Sequence, residues 1–583
     1  MKIVYKDEVK PNEKLTPDKL IEIILKNRQI KEKEKFLNPP HPEKINLTDF
    51  GFKRELKKTL NLLEKIRAEG KMIVVYTDYD ADGITGGAIL WETLHLLGFK
   101  AMPYVPHRKR EGYGFSLKGI DAVKKLYHPA LIISVDHGIT AKDKITYAKK
   151  LGIPVVVTDH HLKPEKLPTD AVAVFHIPGL SGSGIAYIFA KAIMENFSIG
   201  IETHSHASLQ NNFVSDYLSL ASIGSIADLV PLLGPTRSIV KYGLAAFPKV
   251  NRIGIKHILQ QAGIERRKIT PYEVGFIIAP RINAVGRLQH AIDALRLLCT
   301  TKDDKAFHLA AKVGDQNKIR QDMVIKAVGE AKQMINVETH RHESLPKIII
   351  LKNKSWHEGI IGLIASKISE ELFRPTIILT ESDGFLKGSA RSIPALHITD
   401  FLRSLKKYLI DVGGHKAAAG FTMEKKNYSN FTAEAAKTAD KLLKDKELEK
   451  VIEADLKLPI STLNIDLVKD LEKLEPFGIG NPRPAFYSEV EILDVKTFGK
   501  EKNHLKLLVR DISTNKLTSG HRPLTNGYRL PIEMISFGTA AAYSSLTRGQ
   551  KISIVYAPEI NRWNGYENLR GKIIIISNLI ENI

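Results

Sequence analysis

From Met72 onward, short runs of continuous apolar residues alternate with longer segments in which apolar positions recur every third or fourth residue. The runs are "MIVVYTD", "AMPYVP", "LIISVD" and "VVVTD"; between them lie "GITGGAILWETLHLLG", "SLKGIDAVKKLY" and "AKDKITYAKKLG". Uninterrupted apolar strands separated by helices of that length predict βαβ units and a parallel sheet covered on both faces. Helical spacing continues from Gly184 to about Leu259, broken at "SIADLVPLLGPTR". The stretch "TKDDKAFHLAAKVGDQNKIRQDMVIKAVGEAKQMI" has no Pro and little Gly, and predicts one or two long helices bridging domains. A second α/β pattern runs from "KIIILKN" through "GIIGLIASKISEEL" and "PTIILT" to "GGHKAAAGFTM". Beyond about Val451, short strand candidates separated by Gly, Pro and Asn predict an antiparallel barrel or sandwich.

This pattern divides the chain into an N-terminal extension (1–50), an α/β region (51–300), a helical linker (301–340), a smaller α/β region (341–445) and a β region (446–583). The length, 583 residues, fits three or four separate cores, and 43% hydrophobic with 26% charged residues is a globular balance. No apolar run approaches the ~18 residues of a spanning helix. The first residues, MKIVYKDEVKPNEKL, lack the apolar centre of a signal peptide, so a cytoplasmic protein with no membrane association is expected. Cys299 is alone, which excludes an intramolecular disulfide and a cysteine-based zinc cluster. Any metal must be held by oxygen and nitrogen. Lys and Arg number 86 against 65 Asp and Glu, a net charge of 86 − 65 = +21, which favours a polyanionic partner: nucleic acid first, an anionic membrane surface second. A lysine-rich composition produces the same balance without any such partner.

Three strands of the first region end in aspartate: Asp78, Asp136 and Asp159. In a parallel sheet these ends share one edge, where open α/β sheets bind their ligands. "TDYDADGITGG" adds Asp80 and Asp82 at alternate positions, and "VVVTDHH" adds His160 and His161. Carboxylates so crowded repel unless a cation lies among them. One strand-end aspartate alone is readily a helix cap, and Asp82 is as well placed to cap as to ligate. Asp and His without Cys suit Mn2+ or Mg2+, and this many ligands suit two ions about 3.5–4 Å apart that activate water against a phosphoryl centre. Asp228, isolated in "LASIGSIADLVPL", is either a cap, a buried ion-pair partner or a further ligand.

"DYDADG", "SVDHGI", "TDHH" and "GSIADLVPL", in this order, resemble the four motifs of the DHH phosphoesterase superfamily, and "GGHKAAAGF" resembles the signature of its DHHA1 domain. Within the superfamily, "VPHRKREGYGFS", "APRINAVGRL", "DQNKIRQ", "SWHEGIIGLIASKI", "GSARSI" and "EPFGIGNPRPAF" resemble the RecJ family of single-strand-specific 5′→3′ DNA exonucleases. The resemblance implies a parallel-sheet DHH domain joined by a long helix to a smaller α/β DHHA1 domain, then a C-terminal all-β OB-fold domain. It implies that Asp78, Asp80, Asp82, Asp136, His160 and Asp228 hold two Mn2+ or Mg2+ ions. Asp159 and His161 stand beside them, as ligands or as support and phosphate contacts. Arg108, Ser389 and Arg391 would hold the 5′-terminal phosphate, Gly413, Gly414 and His415 the scissile-side phosphate, and Arg281 and Asn283 belong to a similarly functional motif. Single-stranded DNA threading between the two α/β domains, release of 5′-mononucleotides, a role in recombination and repair, a single-strand-binding protein and a helicase as partners, and a monomeric state follow from the same resemblance.

Departures from the family pattern are "VFHIPGLSGSGIAY" in place of an Asn-Pro segment, Ala390 in "GSARS" where Gly is usual, and the insert "TSGHRPLTNGYRLPIEM" (518–534), to which no role is assigned. Arg562, Trp563 and Tyr566 suit either base stacking or strand-turn-strand packing. Two other functions fit part of the pattern. One is a phosphodiesterase of short oligonucleotides or cyclic dinucleotides, which the C-terminal β region argues against. The other is a non-catalytic single-strand-binding accessory protein, which the complete set of acidic positions argues against.

Overall fold

Four apolar runs form strands of one five-stranded parallel sheet: β1 (Ile73–Thr77), β2 (Ala101–Tyr104), β3 (Leu131–Val135) and β4 (Val155–Asp159), joined by β5 (Ala173–His176) in the order β2-β1-β3-β4-β5. The computed structural model describes residues 2–9, 15–112, 114–198, 203–342, 345–512, 531–563 and 565–578. Every residue of β1, β3 and β4 is buried, which is why they read as unbroken apolar runs. Thr77 pairs with Val135 and Val135 with Thr158, so Asp78, Asp136 and Asp159 follow in register at adjacent strand ends. β5, short and at the sheet edge, comes from the apolar run "AVAVF" (171–175), which follows the acidic tip of β4 without an intervening helix and so falls outside the alternation described above.

Helix α1 (Ala81–Leu96) runs back beneath the sheet. Its glycines explain the "DGITGG" string. A Cβ at Gly83 would approach the Asp78 backbone to 2.8 Å, and one at Gly87 would collide with the Thr77 methyl group. Helices α2 (Gly182–Phe197) and α3 (Asp216–Ala227) are buried along nearly their whole length. α4 (Ala279–Leu288) follows a π-helical turn at Val274–Ile278, and α5 (Asp303–His342) is a single helix of 40 residues. Ala327, Ala331 and Ile335 of α5 pack with Ile361, Ile364 and Ile368 of α6 (Ile361–Leu372), one apolar stripe against another.

The second sheet is mixed. Strands β6 (Ile349–Lys352), β7 (Thr376–Ser382), β8 (Phe385–Arg391), β9 (Leu409–Gly414) and β10 (Ala418–Met423) lie in the order β9-β10-β8-β7-β6, and only β6–β7 is parallel.

The C-terminal strands β11 (Phe486–Phe498), β12 (His504–Asp511), β13 (Ile532–Ser536), β14 (Lys551–Trp563) and β15 (Tyr566–Asn578) lie in the order β11-β12-β13-β15-β14, and β11 also pairs with β14. The five strands therefore close into a barrel with one parallel pair, β13–β15. Arg562 is ion-paired to Glu472 and Glu567, as strand-turn-strand packing requires; Tyr566 is exposed, and the Trp563 side chain lies outside the described residues. So do residues 513–530, which include most of the insert.

Two compact units result. One comprises Met1–Lys44, Leu229–Lys241 and Val451–Ile583; the other comprises Ile45–Asp228 and Tyr242–Lys450 and contains both α/β sheets. In the first unit the N-terminal helix Pro17–Asn27 contributes Leu20, Ile24 and Leu25 to the core of the barrel, beside Leu467 and Phe486. Buried Arg237 ties the same unit together, donating to the carbonyls of Phe36, Leu474 and Glu475. No helix among the described residues is long and apolar enough to cross a membrane.

Candidate metal and phosphate site

The sheet edge delivers three aspartates, and the surrounding helices deliver the rest. Asp80 caps α1, its Oδ1 accepting from the backbone N–H groups of Asp82 and Gly83 at 3.0 Å each. The cap is thus Asp80, not Asp82. Asp82 instead reaches the start of α2 and accepts from Gly182 N at 2.6 Å and Ser183 N at 2.9 Å. A Cβ at Gly182 would lie inside the Asp136 side chain, so only glycine lets α2 come this close. Asp136 itself takes a left-handed backbone, φ 69°, which turns the chain sharply at the end of β3.

His160 Nε2 lies 3.1 Å from Asp136 Oδ1 and 3.3 Å from Asp228 Oδ2. Asp228 arrives at the C-terminal end of α3, not at a helix start. Ligand atoms within 4.8 Å of one another form three sets: Asp78, Asp80 and Asp136; Asp82, His160 and Asp228; and Asp136, His160 and His161. All six positions expected to hold metal meet here, and so does His161.

Asp159 has a different environment. Its Oδ2 accepts from Ile139 N at 2.7 Å, and its Oδ1 accepts from His160 N, His161 N and His161 Nδ1 at 2.7, 3.0 and 2.8 Å. Both oxygens are thereby committed to holding the His-His segment. His176 Nε2, on β5, donates to the His161 carbonyl at 2.6 Å and supports it from the other side. His137, which follows Asp136, is buried and donates from Nε2 to the Tyr76 carbonyl at 3.0 Å.

The electrostatics are those of a site built for cations. Burial, then the neighbouring carboxylates, raises the pKa of Asp78, Asp80 and Asp136, and lifts Asp228 to about 8. Burial lowers His160. Burial would also lower His161, but its hydrogen bond to Asp159 prevails and raises it to about 9. Asp159 shows the converse: burial opposes ionisation, yet the His161 hydrogen bond keeps its pKa well below the usual range. Asp78 Oδ1 is buried with no hydrogen-bond partner among the described residues. Oxygen and imidazole donors with an unsatisfied buried carboxylate oxygen fit Mn2+ or Mg2+.

Opposite this cluster stand basic groups. Arg108 lies over the Tyr79 ring, its Cζ 5.2 Å from the centroid. Ser389 and Arg391 sit on β8 at the N-terminal end of α6, where a Cβ at Gly362 would be 3.0 Å from Ser389 Oγ and 3.1 Å from Arg391 Nη2. Two arginines to which the sequence pattern assigns no part, Arg287 and Arg320, join them. Burial and then the charges of Arg108, Arg320 and Arg391 pull the Arg287 pKa down to about 10. The Nε atoms of Arg281, Arg287 and Arg320 are buried and have no hydrogen-bond partner among the described residues. Guanidinium groups concentrated like this favour a phosphate. No periodicity marks Arg287 and Arg320, since each is one of several cations on its helix.

Asn283 Oδ1 accepts from Ala81 N at 2.7 Å, so it supports the acidic loop. Arg281 Nη1 donates to the Ile277 carbonyl at 2.7 Å. The segment Gly413-Gly414-His415 comes from the second sheet to the same place: the His415 ring stacks on His161 at 5.9 Å and 22°. Gly414 has φ 149°, and a Cβ there would strike the Ala418 carbonyl. Tyr113 of "HRKREGYGF" lies outside the described residues.

Comparison with known proteins assigns the parts. The description "DHH family, N-terminal domain" matches residues 72–224, "DHHA1 domain" 345–445 and "RecJ OB domain" 454–574. The single-stranded-DNA-specific exonuclease RecJ of Haemophilus influenzae is 32% identical over 532 residues, 88% of this chain and 89% of that one. The Bacillus subtilis protein of the same name is 32% identical over 521 residues, 87% of this chain; the chain spans 62% of that relative's length. The crystal structure of RecJ from Thermus thermophilus in complex with Mn2+ superimposes with a TM-score of 0.77 at 26% identity, over 99% of this chain and 79% of that one. A structure of exonuclease RecJ bound to manganese gives a TM-score of 0.57 at 33% identity, over 67% of this chain and 95% of that one. With its sheet-edge aspartates, its DHHA1 partner segment and its closed C-terminal barrel, the chain belongs to the RecJ family of DHH phosphoesterases.

Proposed function

We propose that this chain hydrolyses single-stranded DNA from the 5′ end and releases 5′-mononucleotides, with two divalent ions, Mn2+ or Mg2+, held by Asp78, Asp80, Asp82, Asp136, His160 and Asp228. The observation that carries this reading is the meeting of those six side chains on one sheet edge, beside a set of half-buried arginines, three of them with buried Nε atoms. When bound, the ions supply Lewis-acid activation of a water and neutralise charge on the phosphoryl oxygens. Arg108, Ser389 and Arg391, with Arg287 behind them, hold the 5′-terminal phosphate. That contact places the next phosphodiester at the acidic cluster and sets the polarity of digestion. His161, fixed by Asp159 and stacked on His415, stands between the acidic cluster and Gly413-Gly414, where the scissile-side phosphate lies. Asn283 positions the acidic loop, and Arg281 faces the incoming backbone. Residues 51–300, 301–340, 341–445 and 446–583 serve as catalytic domain, linker, DHHA1 domain and OB domain. A cytoplasmic monomer acting in recombination and repair beside a single-strand-binding protein and a helicase completes the reading.

The test is digestion of end-labelled single and double strands, with and without a 5′-phosphate, in Mn2+ and in Mg2+. The expected product is 5′-mononucleotide from the single strand only, fastest with the 5′-phosphate, and lost in Asp136→Ala while strand binding persists. Cleavage of dinucleotides but not of long strands would overturn the substrate assignment. Unchanged hydrolysis in Asp136→Ala would overturn the metal assignment.

A further inference from the structure

The segment that carries Arg281 and Asn283 into the site begins with two rings that the proposed hydrolysis does not use. Tyr272 and Phe276 are stacked at 5.0 Å and 28°, and are 59% and 69% exposed. Their neighbours Val274 and Ile278 point inward and are fully buried. The backbone beneath the rings is well anchored. Thr270 and Glu273 close a capping box at its start, and Val274–Ile278 forms the π-helical turn, a geometry that recurs at functional sites. Gly275 faces Ile226, two residues before Asp228, and Asn283 grips the acidic loop. The rings therefore form an exposed aromatic surface on the same continuous element as the site, Phe276 about 10 Å and Tyr272 about 16 Å of helix from Asn283.

Along this segment cations outnumber carboxylates, Arg266, Arg267, Lys268 and Arg281 against Glu265 and Glu273. The Arg281 guanidinium folds back to the Ile277 carbonyl, next to Phe276, and Arg266 and Arg267 are exposed just upstream. An apolar π face beside guanidinium groups matches a nucleobase attached to a phosphate backbone, since every base presents a π face to stack and a neighbouring anion to pair. An apolar protein segment would gain nothing from the arginines.

We infer that Tyr272 and Phe276 are a stacking platform for a base of the single strand on the 3′ side of the scissile phosphate. The platform holds the undigested strand in place, and it rests on the reading of the site as a single-strand nuclease.

The experiment uses the full chain and a 5′-phosphorylated single strand in EDTA, so that binding is measured without hydrolysis. Tyr272→Ala with Phe276→Ala is expected to weaken binding about five- to hundredfold. Phe276→Leu, equally apolar but without the π face, should weaken it in the same direction, and Phe276→Tyr should restore it. An abasic position moved along the strand should cost the parent chain affinity at one place, and that cost should vanish in the double variant. With Mn2+ present the loss should fall on KM more than on kcat. Binding within twofold of the parent in either the double variant or Phe276→Leu, or no abasic position that distinguishes the two chains, overturns the platform. If the parent chain itself cleaves no single strand in Mn2+, the nuclease reading has failed; if it cleaves and the variants bind normally, only the platform has.

Discussion

At the scale of residues, the site is costly without its cations, and that cost has a pH dependence with a definite sign. Asp228 has a folded pKa of about 8, against about 4 for an unfolded aspartate. Between these values the folded metal-free chain holds a proton that the unfolded chain has released, so stability falls as pH rises. His161 acts in the same direction: raised to about 9, it contributes stability that is present below its ordinary value near 6.5 and lost as pH climbs through 9. Asp159, held low, loses its contribution only as pH falls through the acid range, outside this window. Burial holds His137 and His160 low, an opposite contribution confined to pH below their ordinary value near 6.5, so thermal unfolding in EDTA is expected to show a melting temperature that declines from about pH 6.5 to about pH 8, while the rise produced by Mn2+ grows over the same interval. A metal-induced rise that is constant with pH would contradict this account. Asn283 tests the loop instead of the ligands. Asn283→Ala removes the acceptor for Ala81 N, and should lower Mn2+ affinity about ten- to hundredfold in a calorimetric titration, by letting Asp80 and Asp82 drift. Unchanged affinity would mean that the loop holds itself.

At the scale of elements, helix α2 is pressed against the end of β3, and the contact is specific enough to break with one methyl group. Gly182→Ala sets a Cβ inside the Asp136 side chain, so α2 must retreat and take the N–H groups of Gly182 and Ser183 away from Asp82. Overpacking of this kind costs about 1–3 kcal/mol, and the melting temperature should fall by several degrees with metal affinity falling beside it. Gly329 predicts the reverse. It lies in the middle of α5 with nothing near its missing Cβ, so Gly329→Ala should stabilise the chain by about 0.5–1 kcal/mol in urea titration and leave hydrolysis alone. These elements also mark what the sequence makes legible. β1, β3 and β4 are buried on both faces and announce themselves, and their aspartates stand out because each ends an apolar run. β5 also comes from an apolar run, "AVAVF", but no helix separates it from β4, so the βαβ alternation does not mark it. Asp80 and Asp82 are two residues apart at the start of one helix, and only the folded structure decides which of them caps. The closure of β11 on β14, and the seating of Leu20 and Ile24 against Leu467, join positions that no local pattern connects.

At the scale of the whole molecule, the excess of 21 positive charges predicts attraction to any polyanion, and the arginines predict something narrower. Charge spread over a surface contributes a general, screened attraction. Arg108, Arg281, Arg287, Arg320 and Arg391, by contrast, are gathered around the acidic cluster, and three of them have buried Nε atoms without partners among the described residues. Each that neutralises a phosphate of a single strand should release close to 0.7 of a counterion. The logarithm of the association constant, plotted against the logarithm of salt concentration, should then be linear with a slope of roughly −3 if four or five of them engage. Arg391→Ala should make that slope shallower by about 0.7 and weaken binding most for strands bearing a 5′-phosphate, whereas the aromatic variants at Tyr272 and Phe276 should lower affinity and leave the slope where it was. Titrations in EDTA between about 50 and 200 mM salt separate the two contributions. A slope that Arg391→Ala leaves unchanged would place the binding charge on the general surface and remove the arginine cluster from the substrate.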